Sequence, residues 1–362
     1  MSESKVVGAS SDHPKATEPS SATPAPQLAQ LKAATWQNLP ATEKWCPEAM
    51  LPLLPWIDDY KYEDNREEAF VGSSGWRLLA ATRRGKMHAN HGTHREDAYA
   101  TVSGENFLVL VVSDGAGSSK YSRIGSELAV REVSKRIHDG LAAELSEPRS
   151  EPSENLPNSE AVAAIMEKAV SETIHRLREV ASASGCQPQD LRCTLLVAVF
   201  VCCKDRGHFL LGQVGDGFFA SLDPYGVAAR HGISDSGDFS GQVNTFVPDE
   251  DSPQKFHDSL AYGKAQDVAA LILCSDGIED PFFPIEKNAS VIFRQLAEGV
   301  TTPLEDFSRQ EVHGAIIGGD FAQETLGRWL AFDKRGENDD RTILILHRDP
   351  FVVAPSTIQT NF

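Results

Sequence analysis

The chain has 362 residues, of which 41% are hydrophobic, and its formal net charge is −18, which allows one large domain with tails. The acidic surplus argues against a surface for nucleic acid or for anionic membranes. Because no apolar run reaches the roughly 18 residues of a membrane span and the N-terminus lacks the apolar segment of a secretion signal, we predict a cytoplasmic protein with no nucleic acid and no membrane among its partners.

The N-terminal part of the chain differs in composition from the rest. Residues 1–35 are rich in Ser, Pro, Ala and Thr, so they are predicted to be a disordered tail. Residues 36–74 hold three tryptophans among prolines and form a linker, a linear motif for a partner or a segment that docks on the domain. Docking is favoured because exposed tryptophans are costly. A folded domain is predicted over residues 75–350, followed by a C-terminal tail over 351–362.

The apolar pattern then predicts the elements of this domain. Helical spacing predicts two long helices over residues 121–145 and 160–182. Two shorter helices are predicted over 288–299 and 319–332, after a polar loop over 231–262. Apolar β-type runs precede, separate and follow these helices, over 107–115, 193–202, 208–223, 271–277 and 341–347. Because helices do not alternate regularly with strands, the order favours an α+β fold with two antiparallel sheets flanked by helices.

Three of the β-type runs end on an Asp-Gly pair. They are FLVLVVSDG ending at Asp114, LLGQVGDG at Asp216 and LILCSDG at Asp276. Glycine lets the backbone turn sharply there and lets a ligand come close. Such endings bring carboxylates to one rim of a buried sheet, an arrangement that suits hard divalent cations. Further acidic groups stand in HREDAYA (94–100) and in ENDD (337–340), just before the last strand.

This set of carboxylates points to one kind of chemistry. Oxygen ligands without a Cys/His set suit Mg²⁺ or Mn²⁺ rather than Zn²⁺, and clustered carboxylates repel each other unless a cation neutralises them. Two cations about 3.5–4 Å apart would acidify a bridging water and clamp both oxygens of an in-line phosphoryl displacement. A single Asp-Gly is usually a turn, but the ordered combination is much more specific. We therefore predict a metal-dependent hydrolase of phosphate esters.

The ordered motifs resemble the metal-dependent protein phosphatase family, type 2C, over roughly residues 76–348. The resemblance implies a four-layer α-β-β-α sandwich with two central antiparallel sheets. It also implies removal of phosphate from phosphoserine and phosphothreonine with two or three Mn²⁺ or Mg²⁺. The matching motifs are REDAYA (95–100), VVSDGAGSSKYSRIGSELA (111–129), CTLLVAVF (193–200), GQVGDGFFA (212–220), LILCSDGIED (271–280) and ENDDRTILIL (337–346).

The resemblance also implies a set of metal ligands. Asp114 bridges both metals, and the backbone carbonyl of Gly115 helps to hold the second metal. Glu96 reaches the second metal directly or through water. Asp276 and Asp339 hold the first metal.

Other positions receive further roles or depart from the family pattern. Asp97 supports the metals as a neighbouring carboxylate, and Asp216 matches a position linked to a third, weaker metal. In many members of the family an arginine four residues before the glutamate binds the substrate phosphate, and Gly92 stands at that position here. Arg95 and His88 are the candidates to contact the substrate phosphate in its place, although Arg95 could equally form a solvated ion pair. His88 could instead be a general acid for the leaving alkoxide or make a structural hydrogen bond.

The acidic pair before the last strand leaves a choice between Asp339 and Asp340. Asp339 is preferred because the family's closing motif places its aspartate three residues before a threonine, here Thr342. The full prediction is a monomeric serine/threonine phosphatase whose protein substrates are phosphorylated by a serine/threonine kinase. Two alternatives stay open: a phosphatase-like module that binds phosphorylated partners without turnover, and a phosphohydrolase for small metabolites.

Overall fold

The structure of the protein is a computed structural model. The predicted N-terminal tail over 1–35, nearly all of the C-terminal tail and half of the polar loop over 231–262 lie outside the described residues. The structure describes residues 37–71, 75–146, 156–203, 206–232, 245–246, 251–300, 307–308 and 312–351.

The described residues contain strands and α-helices that we number separately in chain order. The strands are β1 Asn65–Val71, β2 Trp76–Arg83, β3 Ala98–Ser103, β4 Phe107–Ser113, β5 Leu195–Cys203, β6 Arg206–Val214, β7 Phe218–Leu222, β8 Ala228–His231, β9 Ala261–Lys264, β10 Ala270–Cys274, β11 Gly299–Val300, β12 Phe307–Ser308, β13 Val312–His313, β14 Asp333–Lys334 and β15 Arg341–Arg348. The helices are α1 Lys86–His91, α2 Ser122–Ser146, α3 Ser159–Ser184, α4 Ser252–Asp258, α5 Asp276–Glu279, α6 Ile285–Glu298 and α7 Ala322–Trp329.

Two larger antiparallel sheets organise the fold. The first sheet has six strands in the order β1-β2-β15-β10-β7-β8, and the second has five in the order β3-β4-β5-β6-β9. Because side chains alternate between the faces of a strand, β4 serves two cores. Val109 and Val111 pack toward helices, whereas Leu108, Leu110 and Val112 pack toward the other sheet.

Three buried clusters define four layers. The cluster between the sheets joins β2, β10 and β15 of the first sheet to β4, β5 and β6 of the second. Helices α2 and α3 cover the outer face of the second sheet, and α6 and α7 cover the outer face of the first. The predicted α+β fold with two antiparallel sheets flanked by helices is confirmed, and the packing is consistent with an α-β-β-α sandwich.

The long helices begin and end close to the predicted positions. In α2, every residue of the predicted apolar stripe is buried. In α3, the Asn158 side chain accepts a hydrogen bond of 2.8 Å from the N–H of Ala161, which caps the first turn. Gly185 ends α3 in the left-handed conformation with φ of 75°. Helices α1 and α4 and strand β9 were not predicted, since each is short and carries little apolar periodicity.

The segment before the predicted domain is part of the fold. Met50 and Leu54 are buried against the cluster that includes α2 and α3. The N–H of Leu39 donates to the carbonyl of Ala89 at 2.8 Å, and the N–H of Thr42 donates to the carbonyl of Gly92 at 3.0 Å. Strand β1 extends the first sheet by pairing with β2. These contacts favour docking over a free linker, and the folded part extends to the N-terminal side of residue 75.

None of the described helices is long and apolar enough to cross a membrane.

Candidate metal centre

The ends of strands from both sheets bring three aspartates together. Asp114 and Asp216 follow β4 and β6 of the second sheet, whereas Asp276 follows β10 of the first sheet. One carboxylate oxygen from each of the three lies within 4.8 Å of the others. Thr194 fixes Asp114, because its hydroxyl accepts from the Asp114 N–H at 3.0 Å and its N–H donates to the Asp114 carbonyl at 2.7 Å. The backbone thus holds these carboxylates close together.

Glycine is required at two of these turns for steric reasons. A Cβ on Gly277 would lie 1.8 Å from the carbonyl oxygen of Asp340. Gly217 has a φ of +87°, and a Cβ there would lie 2.6 Å from the carbonyl oxygen of Cys274. Only glycine adopts such positions at low cost. The Asp-Gly pairs therefore let the strand ends converge.

Asp97 belongs to the same cluster. Its Oδ2 accepts hydrogen bonds from the Ser275 hydroxyl at 2.8 Å and the Thr342 hydroxyl at 2.6 Å. Its carboxyl group also lies close to that of Asp114. Burial, followed by the charge of Asp340, raises the pKa of Asp97 to about 7. The other carboxylate oxygen of Asp97, Oδ1, thereby faces the carboxylates that the strand ends bring together, those of Asp114, Asp216 and Asp276.

Burial and neighbouring negative charges raise the pKa values of the carboxyl groups in this cluster. Burial and then the charge of Asp276 raise the pKa of Asp114 well above its usual value. Burial and then the charge of Asp216 do the same for Asp276. Burial raises the pKa of Asp216 to about 6. Burial also raises the pKa of Glu96 to about 7, although the neighbouring His88 opposes it.

These donors fit divalent cations. Within the part of the chain that the structure describes, the buried oxygens Asp97 Oδ1, Asp276 Oδ1 and Glu96 Oε2 have no hydrogen-bond partner. Unpaired buried acceptors are costly, and oxygen-only donor sets suit Mg²⁺ or Mn²⁺. A cation would satisfy these oxygens and remove the mutual repulsion of the carboxylates. The centre is therefore suited to Mn²⁺ or Mg²⁺.

His88 faces this cluster and is oriented by Asp340. Asp340 Oδ1 accepts from the His88 Nδ1–H at 2.9 Å and from the Gly85 N–H at 2.6 Å, and its Oδ2 accepts from the Glu96 N–H at 2.6 Å. Burial alone would lower the pKa of His88, but the hydrogen bond and charge of Asp340 outweigh it and raise the pKa to about 9. The His88 Nε2 lies 3.9 Å from Glu96 Oε2. His88 thus has its second ring nitrogen toward the acidic residues, and its raised pKa favours the protonated form.

Asp339 and Asp340 differ in their surroundings. Asp340 is buried, and its hydrogen bonds outweigh the effect of burial and lower its pKa. Asp339 is partly accessible, and its negative charge contributes to the raised pKa of both Asp114 and Asp276. Both carboxylate oxygens of Asp340 accept hydrogen bonds from protein donors. Asp339 therefore stays the predicted metal ligand of the two residues.

Arg95 does not point toward the carboxylates as a phosphate contact would. It is buried, and its guanidinium donates to the Thr82 hydroxyl at 3.2 Å, to the Glu63 carbonyl at 3.3 Å and to the Asp97 carbonyl. The guanidinium thus holds the backbone that carries the neighbouring acidic pair. The predicted phosphate contact of Arg95 stays untested, and this geometry favours a positioning role instead. Gly92, where the family has its arginine, ends α1 with a φ of 67°.

One part of the site was missed from the sequence. Glu279 Oε2 accepts from the N–H of Gly217 at 2.9 Å, and its Oε1 pairs with Arg230 at 2.8 Å. Burial, opposed by Arg230, raises the pKa of Glu279 to about 7. This pair fixes the turn that presents Asp216. The acidic residue three positions after Asp276 was the available signal, but its partner lies far away in the chain.

Comparison with known proteins agrees with the site. The family model described as Protein phosphatase 2C matches residues 84–330. No curated protein matches the chain. Among solved structures, a serine/threonine phosphatase of S. agalactiae is 15% identical with a TM-score of 0.45, over 75% of this chain and 99% of the other. PppA of Pseudomonas aeruginosa is 14% identical with a TM-score of 0.43, over 78% and 100%. The catalytic domain of the phosphatase PstP, in complex with two manganese ions, is 17% identical with a TM-score of 0.41, over 75% and 97%.

The paired antiparallel sheets and the carboxylates at their strand ends define a metal-dependent protein phosphatase. The family model spans more than half of the 362 residues. The chain belongs to the protein phosphatase 2C family.

Proposed function

We propose that this phosphatase hydrolyses phosphoserine and phosphothreonine in proteins and uses Mn²⁺ or Mg²⁺ to do so. One observation carries the proposal: carboxylate oxygens of Asp114, Asp216 and Asp276 lie within 4.8 Å of one another. Such a cluster is costly unless cations neutralise it. On this proposal the protein is a cytoplasmic monomer, and a serine/threonine kinase phosphorylates its substrates.

The proposed ligands are those implied by the sequence. Asp114 would contact both metals, Asp276 and Asp339 the first, and Glu96 with the Gly115 carbonyl the second. The unpaired oxygens of Asp276 and Glu96 support these assignments. Bound divalent cations supply the positive charge that activates water and stabilises the phosphoryl group during displacement.

The remaining residues have roles that follow from their contacts. Asp97 is held by two hydroxyl groups, so it supports Asp114 in a fixed orientation, and Asp216 would hold a third, weaker cation. Water attacks phosphorus in line, and the bond between phosphorus and the seryl or threonyl oxygen breaks. His88 donates the proton on Nε2 to that leaving oxygen, and Asp340 stabilises the charged imidazole through Nδ1. A phosphate contact by His88 is compatible with the same orientation.

A leaving-group comparison tests the role of His88. Replacing His88 with glutamine should lower kcat for a phosphothreonine peptide by about 100-fold, since general acid catalysis is worth about 100- to 10,000-fold. The same change should affect p-nitrophenyl phosphate much less, because its leaving group departs without a proton. Steady-state rates on both substrates give the measurement.

His91 provides the matched control, since it lies on the same helix and is exposed. A His91→Gln variant should keep the wild-type rate on both substrates. Equal losses on both substrates in His88→Gln would contradict proton donation and leave His88 a structural residue.

The substrate and metal are tested together on the wild-type protein. We expect turnover of a phosphothreonine peptide only with added Mn²⁺ or Mg²⁺, and background rates in a chelator. Titrating each metal separately at fixed substrate would show which one is preferred. A phosphotyrosine peptide and small phosphorylated metabolites complete the comparison.

Each alternative predicts a different result in this assay. Faster turnover of a metabolite than of the peptide would favour a metabolite phosphohydrolase. Tight peptide binding without turnover at any metal concentration would favour a binding module. Unchanged turnover in the chelator would contradict metal dependence.

A further inference from the structure

A cleft beside the metal centre contains an unusual number of cations. It has a volume of about 280 Å³ and includes Asp339 in its wall. The backbone of the N-terminal segment contributes Gln37 and Asn38 to its rim. The charged residues in its lining are Arg83, Arg84, Lys86, Arg341, Asp64 and Asp339.

Most of these cations are already engaged. Arg84 pairs with Asp64 at 3.2 Å, and Lys86 pairs with Asp333, which lies outside the lining. Arg341 donates to backbone carbonyls on the loop after α7, which carry no formal charge. The positive charge of Arg341 is therefore stabilised by the dipoles of these carbonyl groups, but no carboxylate neutralises it.

Arg83 is the exception. It ends β2 and is partly buried, and its guanidinium has no hydrogen-bond or ion-pair partner among the described residues. The carboxylate that acts on it electrostatically is Glu67 of β1, which is not part of the lining. An unengaged guanidinium in a concave site is suited to bind carboxylate or phosphate.

The charge balance of the cleft depends on the metal centre. Four cations face two carboxylates in the lining, and one of the two, Asp339, is a proposed metal ligand. The lining is therefore net positive, and a cation that offsets the charge of Asp339 makes it more positive next to the place where the phosphate would lie. The cleft is therefore adjacent to the expected place of the scissile phosphate but separate from it.

From these contacts we infer that the cleft binds an acidic group of the substrate, a carboxylate or a second phosphate near the phosphoresidue, with Arg83 as its main contact. This inference rests on the proposed function. An extended peptide advances about 3.3 Å per residue, so a side chain a few positions from the phosphoresidue can reach the adjoining cleft. The structure therefore assigns a preference for phosphorylated sites in acidic sequences.

Two matched peptides test the preference. One carries glutamates on both sides of a phosphothreonine, and the other carries glutamines at the same positions. The wild-type protein with Mn²⁺ at low ionic strength should favour the acidic peptide by about fivefold in kcat/KM, the equivalent of a single partly exposed charge pair. In Arg83→Gln this ratio should fall below about twofold, and in Arg83→Lys it should be largely kept.

Arg77 provides the control, since it lies at the opposite end of β2 and pairs with Asp349 outside the cleft. Arg77→Gln should keep the wild-type ratio, and added salt should reduce that ratio in the wild-type protein. Equal wild-type turnover of the two peptides, or an unchanged ratio in Arg83→Gln, would overturn the inference while leaving the proposed function intact. Failure of the wild-type protein to turn over either peptide with Mn²⁺ would instead contradict the proposed function. Because the readout is a ratio within one variant, a partly unfolded preparation does not alter it.

Discussion

Replacing Asp114 with asparagine should abolish phosphatase activity and, at the same time, stabilise the metal-free protein. Loss of several kcal/mol of transition-state stabilisation corresponds to a fall of about 1,000-fold or more in kcat/KM. In the absence of metal, however, Asp114 is buried among like charges, which raise its pKa well above the usual value. Asparagine keeps the shape and removes the charge. Each kcal/mol gained should raise the melting temperature by about 2–4 °C.

Activity and melting temperature in a chelator should be measured on the same preparations. Asp267 offers a matched control, because it is exposed before the start of β10, at the opposite end of the strand from Asp276. Asp267→Asn should leave both quantities close to wild type. An Asp114→Asn protein that stays active, or that melts below the wild type without metal, would contradict the assignment of this residue to the metal centre.

The metal-free protein should lose stability as the pH rises, and metal should reverse the loss. Glu96 and Asp97 each have a folded-state pKa raised to about 7, and that of Asp216 is raised to about 6. A carboxyl group whose folded pKa is raised stabilises the fold while it is protonated, so its contribution disappears as pH rises through the folded pKa. In a chelator the melting temperature should therefore fall between about pH 4, near the ordinary pKa of these carboxyl groups, and about pH 7, near their folded-state pKa.

Mn²⁺ should raise the melting temperature most at the alkaline end of this range, because protons compete with the metal for the same oxygens. A ligand at 1,000 times its Kd stabilises by about 4 kcal/mol, which is a shift of about 10 °C for a domain of this size. Asp216→Asn should show a shallower pH dependence than wild type, and Asp267→Asn should not. Equal metal shifts at both ends of the range would argue against a carboxylate metal site.

The sequence predicted the elements that carry local signals. The Asp-Gly endings identified Asp114, Asp216 and Asp276, since glycine is needed where strand ends converge. The helical spacing of apolar residues likewise specified α2 and α3 to within a few residues. The absence of a regular strand-helix alternation favoured two antiparallel sheets flanked by helices, and the four-layer order was implied by the family resemblance.

Contacts between distant residues could not be predicted in this way. His88 and Asp340 are 252 positions apart and meet only in the folded chain, so the sequence left His88 between a chemical and a structural role. The partnership of Glu279 with Arg230 was missed for the same reason. Arg95 stood beside the acidic pair in the sequence, yet its side chain turns toward backbone carbonyls, because a buried guanidinium needs acceptors.

The backbone hydrogen bonds from Leu39 and Thr42 reach the end of the short helix that carries His88. These two residues precede the stretch that the family model covers, which begins at residue 84. The helix that carries the His88 imidazole is thus held by hydrogen bonds from a part of the chain that the family model does not match. A minimal domain trimmed to that pattern, residues 84–330, would lose these hydrogen bonds and also Asp340, which orients His88, the proposed proton donor.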